Sequence, residues 1–369
     1  MAHTPLCPPQ EHLRNGGTLS ELQTLWGIES KRHGTYPNLV QLKYNQISSP
    51  MHEAVVQESR GLILDQDDDW RIIAWPFRKF FNAGEPHAAT IDWTTARVQE
   101  KLDGSLMILY WYDGAWQVAT SGMPDAAGPV HGTQTPFKQL FWDTWFAAKW
   151  PLPIPPGKGY TLLFELMSPY NRVVVEHSTP TLSLVGMRSI YTGNELPAAT
   201  RTAYNPVREF PLRNLDDVMA TFEAMSPLTQ EGYVIVDAAF NRIKVKHPGY
   251  VALHHLRSSF STRRLVEVIR SGDVEELKAY FPEWHDTIDG VKAAYDALVV
   301  QLEGDYETLR GIEDRKDFAL AAKLSPYPAT HFMLRDGHAT SVKDALKSIH
   351  IDRMMGLLGV RHLNISAPI

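Results

Sequence analysis

Between about residues 60 and 250, apolar residues fall in runs of about five to eight, several alternating with polar ones and broken by Gly, Pro, Asn and Asp. Runs of this length and texture read as β-strands, here 61–65, 71–75, 105–112, 116–120, 160–166, 172–176, 181–187, 232–237 and 242–246. Asp113-Gly114, set between two apolar-aromatic runs, is a hairpin turn signal, so many of these strands are expected to be antiparallel. Two helical patterns interrupt them. One is 137–150, with its large apolar residues on one side; the other is 214–225, where Asn214 is placed to cap and Leu215, Val218, Met219 and Phe222 form a stripe. Segments 123–136 and 151–159 are rich in Pro and Gly and read as loops able to cover a site. Beyond about Tyr250 the spacing turns helical, over 253–270, 274–281, 288–302, 306–324 and 342–358. The fold class expected is α+β: an antiparallel-sheet-rich domain over 1–249, then an all-helical domain over 250–369.

With 369 residues and 44% hydrophobic content the chain can fill two ordinary cores. Asp and Glu outnumber Lys and Arg by 42 to 36, for a net charge of −6. The stretch after Gly249 is no basic arm, with 15 Lys/Arg against 17 Asp/Glu. Any polyanion must therefore meet a local basic cleft. The single cysteine, Cys7, excludes an internal disulfide framework and Cys₄ or Cys₂His₂ zinc sites, and its Pro-rich setting offers no base to activate it. No run approaches ~18 apolar residues, and the first residues carry neither a basic nor an apolar targeting region. A soluble, unprocessed, cytoplasmic chain with no membrane attachment is expected.

Candidate chemistry centres on Lys101-Leu102-Asp103-Gly104-Ser105-Leu106, a lysine ending one β-run and a glycine where backbone must pass close to something. Alone, such a string is an ordinary turn with a solvated lysine. Four further blocks stand in order around it. Upstream, Glu58-Ser59-Arg60-Gly61 offers a guanidinium fork and Arg78-Lys79-Phe80-Phe81-Asn82 a point charge. Downstream, Glu165 lies in the apolar run TLLFELMSPYNRVVV, where a carboxylate needs a partner: a ribose hydroxyl, a metal or Arg172. Glu231-Gly232-Tyr233-Val234 opens another run and suits a metal-bridging carboxylate, or merely a hairpin start. In Arg242-Ile243-Lys244-Val245-Lys246 alternation sets Lys244 and Lys246 on one face. Two lysines so placed repel unless an anion lies between them; a solvated edge strand guarded by lysines is the plainer alternative.

Taken together, ESRG (58–61), KFFN (79–82), KLDGSL (101–106), FELMSPYNRVV (164–174), EGYV (231–234) and KVK (244–246) resemble the covalent lysine nucleotidyltransferases, and within them the phage T-even type of ATP-dependent RNA ligase, the RNA ligase 1 family. The resemblance covers roughly 55–250 and extends to the tail only in position and class. It implies an ATP-grasp-like ligase domain in which Lys101 attacks the α-phosphate of ATP, passes AMP to a 5′-phosphate on RNA, and lets a 3′-hydroxyl displace AMP. By the same resemblance the nucleotide site comprises Arg60, Lys79, Phe81, Glu100, Asp103, Gly104, Glu165, Glu231, Lys244 and Lys246. Glu165 would hold the ribose, Lys244 the α-phosphate, and Lys246 with Arg60 the outer phosphates or ribose; Mg²⁺ or Mn²⁺ would meet Glu165 and Glu231. Expected partners are RNA with 5′-phosphate and 3′-hydroxyl ends, transfer RNA among them, with a monomeric enzyme acting in a host cytoplasm if the source is a phage.

A lysine of ordinary pKa near 10.4 is neutral in only about one molecule in a thousand at pH 7.4. Burial, the field of Lys244 and Lys246 and a divalent metal all favour the neutral amine, and carboxylates oppose it. Glu165 and Glu231 are therefore expected at the ribose or metal, not paired with Lys101. Leu102 and Ser121-Gly122 depart from the family pattern, which has a glutamate after the nucleophile and a basic residue before that glycine. Asp65, Asp67 and Asp69 mimic a calcium loop but meet Trp70 and Pro76 where glycine and glutamate are needed. Gly157-Lys158-Gly159 fails as a P-loop, and His254-His255 has no metalloprotease context. A DNA-preferring ligase or a GMP-transferring capping enzyme would call for an OB-fold after Lys246, where helices are expected. A non-catalytic RNA-binding scaffold would be expected to lack one of Lys101, Glu165, Glu231, Lys244 and Lys246.

Overall fold

The computed structural model describes residues 7–130, 133–154, 157–251, 262–280 and 284–361. The chain forms two compact units, Met1–Asn45 with Ser49–His254, and Gln46–Ser48 with His255–Ile369. No described helix is long and apolar enough to cross a membrane.

The first unit begins with helices α1 (Pro8–Arg14) and α2 (Leu19–Trp26). Thr18 and Glu21 close a reciprocal capping box on α2. Cys7 precedes α1, buried, and burial pushes its thiol up to about 12, which leaves it inert. A four-stranded antiparallel meander follows, β1 (Ile28–Arg32), β2 (Leu39–Tyr44), β3 (Arg60–Asp65) and β4 (Arg71–Ala74), with helix α3 (Ala54–Glu58) between β2 and β3.

Two five-stranded sheets carry the rest of this unit. Their strands are β5 (Phe81–Asn82), β6 (Arg97–Lys101), β7 (Ser105–Tyr112), β8 (Ala115–Thr120), β9 (Tyr160–Met167), β10 (Thr181–Ser189), β11 (Glu195–Leu196), β12 (Glu209–Phe210), β13 (Gly232–Val236) and β14 (Arg242–Lys246). One sheet runs β11-β10-β9-β7-β8, the other β12-β6-β13-β14-β5, antiparallel except for β14 beside β5. Asp113 and Gly114 both take positive φ, 47° and 76°, and turn β7 into β8 as a tight hairpin.

Alternation along β9 sorts its residues. Leu162, Phe164 and Leu166 pack against helix α4 (Phe137–Ala147), whose Phe141 and Trp145 are fully buried there, each stabilising the unit by roughly 1.5–3 kcal/mol. Leu163 instead joins Ile63, Ile73, Phe77, Ile108 and Tyr110 between this sheet and the meander. Glu165 shares that second face.

Several expected elements are corrected. The run 172–176 is not a strand: the Val174 and Val175 amides donate to the Asp103 carboxylate instead of to a sheet partner. In the described part of the 123–136 loop, Ala126 and Val130 are buried in the α4 core, which anchors it to the scaffold. Asn214 does cap α5 (Leu215–Thr221), but the stripe is half as wide as expected, with Val218 and Phe222 buried and Leu215 and Met219 exposed.

The second unit is helical in its described residues: Thr262–Ser271, Val274–Tyr280, His285–Leu309, Arg315–Ala322, Pro328–Arg335, Val342–Leu346 and Ile351–Leu357. The expected helix 306–324 is split because Asp314 caps a new start, accepting from the Lys316 and Asp317 amides. The expected 342–358 helix breaks where Arg270 takes the Ile349 carbonyl at 2.7 Å. The first part of the expected 253–270 helix, and the His254-His255 pair, lie outside the described residues.

Where β7 leaves the nucleophile turn it runs against β9, and a Cβ on Gly104 would stand 2.4 Å from the Leu166 carbonyl oxygen. Gly104→Ala should therefore part the strands and lower stability by about 2 kcal/mol or more, read by chemical denaturation; an unchanged midpoint would contradict this close approach.

Candidate functional site

The register of the third sheet assembles the site. Lys101 ends β6 opposite Gly232 of β13, and Gly232 in turn lies opposite Lys246 of β14. Glu231, one residue before β13, is only 4% exposed. Its Oε2 accepts from Lys101 Nζ at 2.6 Å and its Oε1 lies 3.5 Å from Lys246 Nζ. This corrects the expectation that Glu231 would stand apart from Lys101. A carboxylate buried at this point needs cationic partners, and the strand register presents these two. It is also the anion beside Lys246 that the same-face lysines called for. Nor is β14 a solvated edge, since it lies between β13 and β5.

Beside this cluster opens a cavity of about 290 Å³. Arg60, Lys79, Glu100, Lys101, Gly104, Glu165 and Lys244 line it as expected, joined by Tyr44, Phe77, Phe80, Gln99, Leu102 and Arg242. Five cationic side chains, Arg60, Lys79, Lys101, Arg242 and Lys244, face two acids, Glu100 and Glu165, so an anion is favoured there although the chain as a whole is acidic. Arg60 stacks on Phe80, its Cζ 5.2 Å from the ring centre, and its Nη1 is buried without a hydrogen-bond partner. Lys79 Nζ rests over the Tyr44 and Phe81 rings at 5.0 and 5.1 Å.

The two cavity acids are both held above the ordinary carboxylate range. Burial raises Glu100, against the pull of Arg208 and His177. Burial pushes Glu165 up to about 7, with Glu231 and Asp103 adding to the rise and Lys101 and Arg60 opposing it. Arg172 is not its partner, since it turns to Glu176 at 3.6 Å. A divalent cation at Glu165 would relieve the burial of its charge, whereas Glu231, with both oxygens facing lysines and outside the cavity lining, is not placed as the second metal ligand expected.

Besides Glu231, three expected ligands are placed outside the cavity lining. Asp103 does not line the cavity: Oδ2 accepts from the Val174 and Val175 amides at 2.8 and 2.6 Å, and Oδ1 from the Tyr250 hydroxyl at 2.9 Å. Both oxygens are thereby committed to holding the loop after β9 against the nucleophile turn. Asn171 fastens the same loop by donating to Ser105 Oγ at 2.9 Å and the Leu166 carbonyl at 2.7 Å. Phe81 is buried behind Lys79 and lines only a small adjoining void of about 30 Å³. Lys246, also buried, stands with Glu231 behind the cavity lining. Glu58 of the ESRG block is structural too, accepting from Trp75 Nε1 at 2.8 Å and from both terminal nitrogens of Arg188 at 2.8 and 3.1 Å.

Extending the β14 alternation by one step would have added Arg242 to Lys244 and Lys246. Tyr44, Phe77 and Gln99 leave no comparable local signal, because they meet the others only through sheet packing.

Residues 58–149 match the family model described as RNA ligase. Among curated proteins, an RNA ligase of Rhodothermus phage RM378 is 25% identical, over 68% of this chain and 72% of that protein. An RNA ligase 1 of bacteriophage TS2126 is 28% identical, over 50% of this chain and 48% of that protein. Among solved structures, an archaeal ATP-dependent RNA ligase superposes with a TM-score of 0.45 at 16% identity, covering 71% of this chain and 68% of that one.

Because the folded pKa of Glu165 is raised above its ordinary 4.5, to about 7, the ligand-free fold binds the extra proton and loses stability as pH rises between those values. Glu165→Gln removes that loss. The variant should exceed the parent in stability by on the order of 1–3 kcal/mol at pH 8, with the gain fading toward pH 5, as urea denaturation at both pH values would show; a gain equal at both would refute the assignment.

Proposed function

We propose that the chain, similar to the RNA ligases above, is an ATP-dependent RNA ligase of the RNA ligase 1 family with Lys101 as its nucleophile. The observation that carries this reading is the placement of Lys101 at the wall of a cationic cavity, with its ammonium on a buried carboxylate.

Attack requires a neutral amine; in the resting state Glu231 Oε2, 2.6 Å from Lys101 Nζ, holds the charged form, and the field of Lys244, Arg60 and a bound divalent cation would favour release of that proton to solvent. The nitrogen then bonds to the α-phosphorus of ATP as the bond from that phosphorus to the pyrophosphate oxygen breaks, giving lysyl-AMP and pyrophosphate. Lys244 and Arg60, both lining the cavity, would supply charge to the phosphates, and Lys79 adds a third cation. Glu165, which lines the cavity, would hold Mg²⁺ or Mn²⁺, which would neutralise charge on the leaving group. In the next step a 5′-phosphate oxygen of RNA takes the AMP from Lys101, freeing the amine. A 3′-hydroxyl finally displaces AMP and closes the phosphodiester.

We assign nucleotide transfer to the first unit and choice of RNA to the helical second one. RNA with a 5′-phosphate and a 3′-hydroxyl is the substrate class, a cleaved transfer-RNA loop among its members, and a monomer in a host cytoplasm is the working form.

Lys101→Ala should abolish joining of 5′-phosphorylated single-stranded RNA, by at least about a thousandfold, while leaving the thermal midpoint within a few degrees. Undiminished joining, followed on a denaturing gel, would sink the assignment.

A further inference from the structure

Arg242 stands on the same face of β14 as Lys244 and Lys246, yet its surroundings are different. Its Nη1 and Nη2 donate to Glu195 Oε1 and Oε2 at 3.2 and 2.6 Å, a two-armed fork with both partners buried. The guanidinium lies flat on the cavity wall, 3.9 Å from the centre of the Phe77 ring and 5.6 Å from that of Phe80. Phe77 in turn lies on the backbone of β10, where a Cβ on Gly186 would stand 2.4 Å from its ring. Glycine, ring and guanidinium are stacked in that order.

The fork joins the two sheets that wall the cavity. Glu195 belongs to β11, in the sheet that supplies Glu165, Leu106 and Val185; Arg242 belongs to β14, in the sheet that supplies Lys101 and Lys244. A buried ion pair adds little to stability over apolar residues of similar volume. What it supplies is direction: two parallel hydrogen bonds fix the separation and orientation of the groups they join. With both terminal nitrogens engaged by Glu195, Arg242 is poorly placed to serve as a phosphate ligand.

We propose that Arg242, locked by Glu195, is a positioning residue of the nucleotide cavity, setting the spacing of the two sheets so that Lys244 and the Phe77–Phe80 wall fit a nucleoside triphosphate. This inference rests on the nucleotide reading above. Removing the fork should loosen the fit of ATP without removing any group that acts on the transferring phosphoryl.

A single substitution would strand a buried charge, so the test uses Arg242→Met/Glu195→Met. Formation of labelled AMP adduct is followed against ATP concentration, with thermal unfolding as the control for folding. The ATP concentration giving half-maximal rate should rise about tenfold or more, with the maximal rate within about threefold of the parent. A merely structural role would lower the adduct yield at every ATP concentration and leave the half-saturating concentration unmoved, and that result in a folded variant overturns the proposal. So does a lowered maximal rate at unchanged half-saturation, which would put Arg242 at the reacting phosphate. Should the double variant not fold, Glu195→Gln, which keeps one acceptor arm, is read by the same criteria. Failure of the parent protein to form any adduct would refute the nucleotide reading itself, and is seen before any variant is compared.

Discussion

Glu231 is almost wholly removed from solvent, and its two oxygens face two lysines from different strands, Lys101 on one side and Lys246 on the other. A carboxylate buried in that position needs cations around it. These contacts tie the ends of β6 and β14 to the residue before β13, and Lys101 rests as half of an ion pair. Any triphosphate entering the cavity competes with Glu231 for the same cationic field. A chain of net charge −6 can present a basic site only by concentrating its cations there, and Glu231 is the acid that faces two of them.

The other buried acids divide by what holds them. Asp103, Glu58 and Glu195 each give both oxygens to donors of the protein, and each ties two parts of the scaffold together: the nucleophile turn to the loop after β9, α3 to β10, and β11 to β14. They position the cavity without facing a ligand. Glu165 differs in lining the cavity with its pKa raised to about 7, which leaves it responsive to whatever cation or hydroxyl arrives. The paired acids hold the walls, and Glu165 faces the cavity.

Much of this was legible in the order of short motifs. Lys101, Arg60, Lys79, Glu165 and Lys244 converge on one cavity, as the family resemblance implied, and the Asp113-Gly114 hairpin lies where the turn residues placed it. Direction was harder to read. A K-x-D-G string gives residue types but not which way Asp103 points, and its burial on the Val174 and Val175 amides depends on a loop more than 70 positions away. Glu231 was assigned to a ligand because pairing with Lys101 opposes nucleophilicity. The fold answers to the cost of burying a bare carboxylate, and that cost acts in every state of the protein. The short helices before residue 60 lack the long apolar periodicity that announces a helix, although the Thr18-to-Glu21 capping pattern marks one of them. Arg242 needed knowledge of which sheet Glu195 joins, and no local pattern carries that.

The account stands on a covalent bond between one nitrogen and one phosphorus. The most direct test is incubation of the protein with α-labelled ATP, and separately GTP, in the presence of Mg²⁺ without any RNA, followed by denaturing electrophoresis and peptide mapping. An acid-labile AMP adduct confined to Lys101, formed with ATP and not with GTP, is the predicted result. Folded protein that acquires no adduct, or one on a residue other than Lys101, would contradict the account at its centre.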